Sequence, residues 1–360
     1  MLNPAQIRLL FVTIGDNAVG YGHLSRCLSL AKYAEKKKLS ISFLLFGDPE
    51  AYERVNRAGF NCVLQPIPTP ESPSIDSAIC QIESTDVIVT DFSHPEVLGG
   101  MENARKLLDQ VRCYAQKVIL IDGMGAQALA TGIPNMPVDI LVVPYIGAII
   151  PSATNCLTLV GAAYAVLAPP YQQLPERIVS ERPNRILVSC GGADSTRLTP
   201  LVLEGLNGVS RDLDIRVIVG PLFDKDLKAT LLSCVSASKH SVQLIDSPEC
   251  LVNHMLWCDL AVTTSGLIKY ELAATSTPGI LISIDEFHDR VNKPFAGSGA
   301  IVDLGAGITS KLIELQVLEL LENYEARAAM AQAGRRLIDG RGSERIIDEI
   351  IKQFPMPSRK

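Results

Sequence analysis

The sequence has no CxxC pair, no basic block beyond the EKKK at 35–38, and no apolar run near the roughly 18 residues of a membrane span. Each absence removes a class of function. Nine scattered cysteines, an odd number without metal-ligand spacing, predict reduced thiols in a cytoplasmic protein, with no disulfide framework and no zinc site. Cys190 and Cys258 stand in or beside apolar runs and read as buried thiols. A net charge of −6 argues against a nucleic-acid groove and against an anionic membrane surface. EKKK reads as the solvated end of a helix. The opening MLNPAQIRLLFVTIGD lacks a basic leader followed by a sufficient apolar core, so no signal peptide is expected. The most apolar stretch, ILVVPYIGAII at 140–150, is too short to span a membrane and is broken by Pro144.

What is present is a chain of 360 residues, 47% hydrophobic and 20% charged, long enough for more than one core. Short apolar runs alternate with amphipathic ones. IRLLFVTIG (7–15), LSISFLLF (39–46), DVIVTD (86–91), KVILID (117–122) and DILVVP (139–144) have strand length and suit strands buried on both faces. Helical spacing lies between them, as in PEVLGGMENARKLLDQVRCYAQ (95–116). PPYQQLPERIVSERPN (169–184) is rich in proline and charge and reads as a linker. The rhythm then restarts with RILVSCGG (185–192), IRVIVG (215–220), SVQLID (241–246), DLAVTT (259–264), GILISI (279–284) and AIVDLG (300–305). This predicts two doubly wound α/β domains, 1–170 and 185–340, joined by a linker at 171–184 with a cleft between them. A final helix within 341–360, opening on Ser343 and Glu344 as N-terminal helix residues, is expected to cross back to the first domain.

Ligands of open α/β sheets gather at the carboxyl ends of strands. Four constellations fall there. The first is VGYGHLSRCLSLAKY (19–33), in which Gly20, Gly22, His23 and Arg26 follow a strand. Leu24, Cys27, Leu28, Leu30 and Ala31 recur at helical spacing, so a helix begins near Gly22 or His23. The glycines allow backbone to approach a ligand, and the histidine can act as a base or donate to a sugar or phosphate oxygen. The plainer reading is a tight turn with a surface histidine. GDNAVGYG does not supply the dinucleotide fingerprint in register. The second is CGGADS (190–195): Gly191, Gly192 and Ser195 make a phosphate cradle, or else an ordinary turn with Asp194 or Ser195 capping a helix. It lacks the lysine of a P-loop.

The third is TTSGLIKYELAA (263–274). Amides at Ser265 and Gly266 can hold a diphosphate, and Glu271 can accept both hydroxyls of a ribose. The alternative is a solvated helical glutamate. The fourth is ISIDEFHDRVNKPFAGSGA (282–300), where Asp285, Glu286, His288 and Asn292 follow a strand and would face the same cleft, or simply form a polar helix start. His94 follows DVIVTD and shares that ambiguity, whereas His240 and His254 lack such placement and read as structural.

Together these segments resemble GT-B-type nucleotide-sugar enzymes, and more narrowly the PseG/SpsG family of UDP-sugar hydrolases of pseudaminic acid biosynthesis and spore-coat relatives. GYGHLSRCLSLA is similar to the family's GxGHxxRCLxLA segment. TDVIVTDFS with Asp91, VGAAYAVLAPPY (160–171), VSCGGADS and SGLIKYELAATSTPGILISI resemble further family segments, the last shared with MurG-like transferases. The resemblance implies UDP bound in the C-terminal domain, with Gly191, Gly192, Ser265 and Gly266 at the diphosphate and Glu271 at the ribose. It implies His23 at the hydrolytic step, carried over the anomeric carbon by Gly20 and Gly22 from the opposite domain, and Asp91 orienting His23 or water. The expected ligand is a UDP-linked amino or deoxy sugar, with no cofactor and no metal. Val12 and Ile14 stand where the family usually has an Arg and an Asp, and Ala168 replaces a family Arg. Those departures leave open a glycosyltransferase acting on another acceptor, and a non-catalytic nucleotide-sugar-binding protein.

Overall fold

The computed structural model describes residues 7–17, 19–67, 76–79, 82, 85–92, 98–123, 135–148 and 155–354. The chain divides into two compact units, Met1–Pro169 with Arg341–Lys360, and Pro170–Gly340.

In the first unit, β1 (Arg8–Gly15) is followed by α1 (Gly22–Lys36), β2 (Ser40–Gly47), α2 (Pro49–Arg57), β3 (Asn61–Gln65), α3 (Asp76–Ile79), β4 (Val87–Asp91), α4 (Met101–Arg112), β5 (Lys117–Ile121), β6 (Ile140–Val143) and β7 (Leu157–Val160). The strands form one parallel sheet in the order β3-β2-β1-β4-β5-β6-β7. The continuous apolar runs occupy its centre: every residue of β1 from Leu9 onward is buried, as both-face coverage of a parallel sheet requires. The two edge strands, β3 and β7, are only partly buried and were not legible as strands. Of the helical pattern expected over 95–116, the described residues 98–116 hold α4, which begins after Gly99 and Gly100 at positive φ. His94 lies outside the described residues.

The second unit runs through β8 (Arg185–Ser189), α5 (Leu198–Gly208), β9 (Asp214–Val219), α6 (Lys225–Ala237), β10 (Ser241–Asp246), α7 (Val252–Trp257), β11 (Leu260–Thr264), α8 (Ile268–Ala274), β12 (Gly279–Ile282), α9 (Glu286–Ala296), β13 (Val302–Asp303), α10 (Ser310–Glu322) and α11 (Tyr324–Leu337). Its parallel sheet has the order β10-β9-β8-β11-β12-β13. Val188, Val217, Leu260, Val262, Ile280 and Ile313 lie at the centre of its core, each fully buried. The proline-rich 171–184 stretch is tied down within this unit. Arg177 donates to the carbonyls of Cys258 (2.8 Å), Thr275 (3.1 Å) and Met255 and to Thr277 Oγ1 (2.6 Å).

The last helix, α12 (Gly342–Lys352), packs on α1 in the first unit, with a Lys37–Asp348 ion pair of 2.8 Å. Ser343 and Glu344 lie in its first turn, as expected from sequence, although Ser343 does not cap the helix. Its hydroxyl donates instead to the Leu167 carbonyl at 2.8 Å. Gly342 runs so close to Ala165 that an added Cβ would meet that carbonyl oxygen at 2.1 Å.

Candidate active site

Both sheets reverse their winding once. In the first the reversal falls between β1 and β4, in the second between β8 and β11. The crevice at such a switch point is where doubly wound sheets bind ligands.

At the first switch point, β1 ends in a short loop closed by Gly20 N–H donating to the Asp16 carbonyl at 2.8 Å and Val19 N–H donating to Asp16 Oδ1 at 2.8 Å. Gly20 takes φ +79, a conformation that favours glycine. Tyr21 anchors the loop through its hydroxyl to Asp48 Oδ2 at 3.1 Å. The chain then enters α1 with His23 in the first turn. The neighbouring strand β4 ends on Asp91, paired in register with Thr13. The loop and that strand end bring three side chains together. Arg26 grips the fully buried Asp91 with Nε to Oδ2 and Nη2 to Oδ1, both at 2.7 Å. His23 Nδ1 lies 2.6 Å from Asp91 Oδ1 and 2.7 Å from Arg26 Nη2.

Burial alone would push the Asp91 carboxyl up, but the Arg26 guanidinium and His23 overcome it and hold the group below the ordinary carboxylate range. Burial would likewise lower Arg26, and Asp91 instead raises it, so both stay charged. Nδ1 of His23 thus faces both an acceptor, the Asp91 carboxylate, and a donor, the Arg26 guanidinium, and Nε2 is the other nitrogen of the ring. Arg26 is 7% exposed and, with its charge spent on Asp91, serves the trio rather than solvent. Tyr145 was not anticipated from sequence. It is buried, its phenol is pushed up by burial, and it interacts electrostatically with Arg26, Asp91 and the fully buried Asp122. The available signal was Asp122, which ends its apolar run as Asp91 does.

At the second switch point, Gly191 follows β8 with φ +85, and Gly266 follows β11 with φ +127. A side chain at Gly192 or Gly266 would meet nothing within 4 Å, so both face open space. The choice between cradle and cap at 190–195 resolves toward division of labour. Asp194 accepts from the amides of Leu198 (2.8 Å) and Thr199 (2.9 Å), which leaves the glycine backbone, and not the α5 terminus, for a ligand. Ser195 is exposed. Gly220, which the sequence reading passed over, supports the loop: an added Cβ there would lie 2.3 Å from the Gly192 carbonyl oxygen.

Glu271 sits in the first turn of α8 and is not the solvated glutamate of the alternative reading. Burial pushes its carboxyl up to about 7, against the opposing pull of the Tyr171 hydroxyl. Asn292 is fully buried and reaches the site only through a neighbour, donating to Ser265 Oγ at 2.6 Å and to Ser283 Oγ at 2.9 Å. Asp285 caps α9 by accepting from His288 N at 2.8 Å, and the His288 ring lies 2.8 Å from the same carboxylate. His288 is therefore part of a cap as well as a surface group. Lys269, also unforeseen, is 1% exposed and donates to Asn292 Oδ1 at 2.7 Å. Among the described residues no three His, Cys, Asp or Glu side chains cluster as a metal site would need.

Comparison with solved structures places the chain in a class. It matches Acinetobacter baumannii MurG with a TM-score of 0.66 at 14% identity, over 96% of this chain and 99% of that one. It matches S. aureus MnaA, solved with UDP, with a TM-score of 0.62 at 12% identity, over 98% and 99% of the two chains. The fold is that of the GT-B proteins, with two Rossmann-like α/β domains.

By sequence, the chain is 24% identical over 343 residues to the spore coat polysaccharide biosynthesis protein SpsG of Bacillus subtilis, covering 92% of this chain and 94% of that protein. The resemblance to the PseG/SpsG family thus extends along nearly the whole chain. An uncharacterized protein of Methanocaldococcus jannaschii is 24% identical over 293 residues, 78% of this chain; the match spans 56% of that longer protein. No family model matches the chain.

Proposed function

We propose that this protein is an enzyme that cleaves a UDP-linked amino or deoxy sugar by hydrolysis and releases UDP, in the making of a surface polysaccharide or nonulosonic acid. The observation that carries the reading is the His23–Asp91–Arg26 trio at a switch point, with Nδ1 of His23 against the Asp91 carboxylate, to which it donates in this scheme. In this scheme Nε2 of His23 takes a proton from water as the water oxygen bonds to the anomeric carbon. The bond from that carbon to the diphosphate oxygen breaks, and UDP leaves with the electron pair. Asp91 stabilises the imidazolium that forms, and Arg26 keeps Asp91 ionised. In the second unit, the open backbone at Gly192 and Gly266, the Gly191 backbone and the Ser265 hydroxyl would take the diphosphate charge, and Glu271 would accept the ribose hydroxyls. The scheme uses no metal ion. The SpsG relative's role in spore coat polysaccharide biosynthesis and the MnaA–UDP likeness agree with this ligand class.

The test is release of UDP and free sugar from UDP-activated amino and deoxy sugars, with UDP binding followed by calorimetry. His23→Ala is expected to lose about 10²- to 10⁴-fold in turnover while binding UDP as the wild type does. Wild-type turnover in that variant would sink the reading. One observation favours transfer as a second reading. Val12 and Ile14, where family members usually carry Arg and Asp, are fully buried core residues of β1. A transferase would release UDP, with the sugar carried to the acceptor, only when an acceptor is supplied.

A further inference from the structure

Lys269 is a buried cation that the proposed chemistry does not use. It lies on α8 with 1% exposure, and its one hydrogen bond goes to Asn292 Oδ1. Phe295 and Tyr270 present their rings to Nζ at 5.5 and 5.7 Å, and Asp303 attracts it from β13. Burying an ammonium in this way is costly, and a core position facing two aromatic rings would suit a Met or Leu.

The consequence lies one bond further on. An ammonium has donors only, so the Asn292 atom facing it must be the amide oxygen. That fixes the amide the other way round at its far end. Nδ2 must then point at Ser265 Oγ (2.6 Å) and Ser283 Oγ (2.9 Å), and both serine oxygens must accept. Ser283 is 2% exposed, while Ser265 is only half-buried and stands beside Gly266, on whose open side nothing lies within 4 Å of an added Cβ. With one lone pair of its oxygen engaged by Asn292, the Ser265 hydroxyl has its hydrogen left to donate.

We propose that Lys269 is a positioning residue that, through Asn292, locks the Ser265 hydroxyl as a hydrogen-bond donor to an anionic group at the Ser265–Gly266 turn, the diphosphate of the nucleotide. This rests on the nucleotide-sugar reading for the identity of the anion. The chain Lys269–Asn292–Ser265 leaves the Ser265 hydroxyl hydrogen for an acceptor such as a diphosphate oxygen.

The experiment compares UDP with uridine, which lacks the diphosphate, on wild type, Lys269→Met, Ser265→Ala and the double variant, with thermal denaturation alongside. Lys269→Met is expected to weaken UDP at least about tenfold and uridine less than about twofold. The double variant should bind UDP no worse than Ser265→Ala, because both changes break one chain. Equal weakening of UDP and uridine, unchanged UDP affinity, or additive losses would each overturn the proposal. If Lys269→Met does not fold, Asn292→Asp decides. It keeps the partner of Lys269 and the packing but turns both serine hydroxyls inward, and it should lose UDP while keeping uridine; retained UDP affinity refutes the lock. If wild type binds no UDP, the nucleotide reading fails, and inorganic pyrophosphate becomes the probe. Binding of pyrophosphate that Asn292→Asp abolishes supports the lock, and absence of pyrophosphate binding to wild type overturns it.

Discussion

Glu271 shows at the residue scale how burial is turned into a titration. Its carboxyl, pushed up by burial to about 7 from an ordinary 4.5, holds more proton in the folded than in the unfolded chain between those values. Unfolding there releases protons, so the stability contributed by this group is full below about 4.5 and is lost as pH rises through about 7. A ribose diol donates to a carboxylate, so ligand binding needs the ionised form. Uridine affinity is expected to rise as pH increases through about 7 and then level off, and the rise should vanish in Glu271→Gln. Uridine is the right probe because its own charge does not change as pH passes through about 7. A pH-independent affinity in wild type would mean that Glu271 does not receive the ribose. His23, Asp91 and Glu271 stood out as candidates in the sequence because each ends or follows a strand-like apolar run. Lys269 was not. Within KYELAA it looks like one more solvated helix charge, and only packing against Asn292 and Phe295 of α9, distant in sequence, makes it a core cation.

At the scale of elements, the site depends on backbone that comes within contact of other backbone. Gly220, just beyond β9, faces the carbonyl oxygens of Gly192 and Gly191, which a Cβ would meet at 2.3 and 2.6 Å. The Leu222 amide also donates to the Gly192 carbonyl at 2.9 Å. Gly220→Ala therefore has to move the glycine loop itself, at a cost of about 1–3 kcal/mol, and should lower both the melting temperature and UDP affinity. Gly192→Ala meets nothing within 4 Å, so its melting temperature should stay near that of wild type. A Gly220→Ala protein with wild-type stability and affinity would show that the loop is not held as described. The glycine run CGGADS was visible in the sequence, but its brace was not. A glycine after a strand is ordinary, and only the pairing of β8 with β9 places Gly220 over the loop. The edge strands β3 and β7 escaped for a related reason. Half-exposed edges carry mixed residues, so the apolar run that marks a central strand is missing.

At the scale of the whole molecule, the chain visits the first unit twice, and the residues assigned to the nucleotide all belong to the second, Pro170–Gly340. The helix α12 returns to α1 with Ile346 and Ile347 fully buried. Ile347→Ala leaves a cavity in the first unit and should destabilise it by about 2–5 kcal/mol. No residue assigned to the nucleotide is touched, so UDP affinity should remain within about twofold of wild type. Calorimetry separates the consequences. UDP at a hundredfold excess over its dissociation constant adds about 2.7 kcal/mol to whatever folded body binds it. If the nucleotide is held by the second unit, UDP raises that unit's transition, and Ile347→Ala lowers the transition of the first. A UDP-induced rise confined to the transition that Ile347→Ala lowers would place the nucleotide in the first unit and overturn the assignment of Ser265, Gly266 and Glu271.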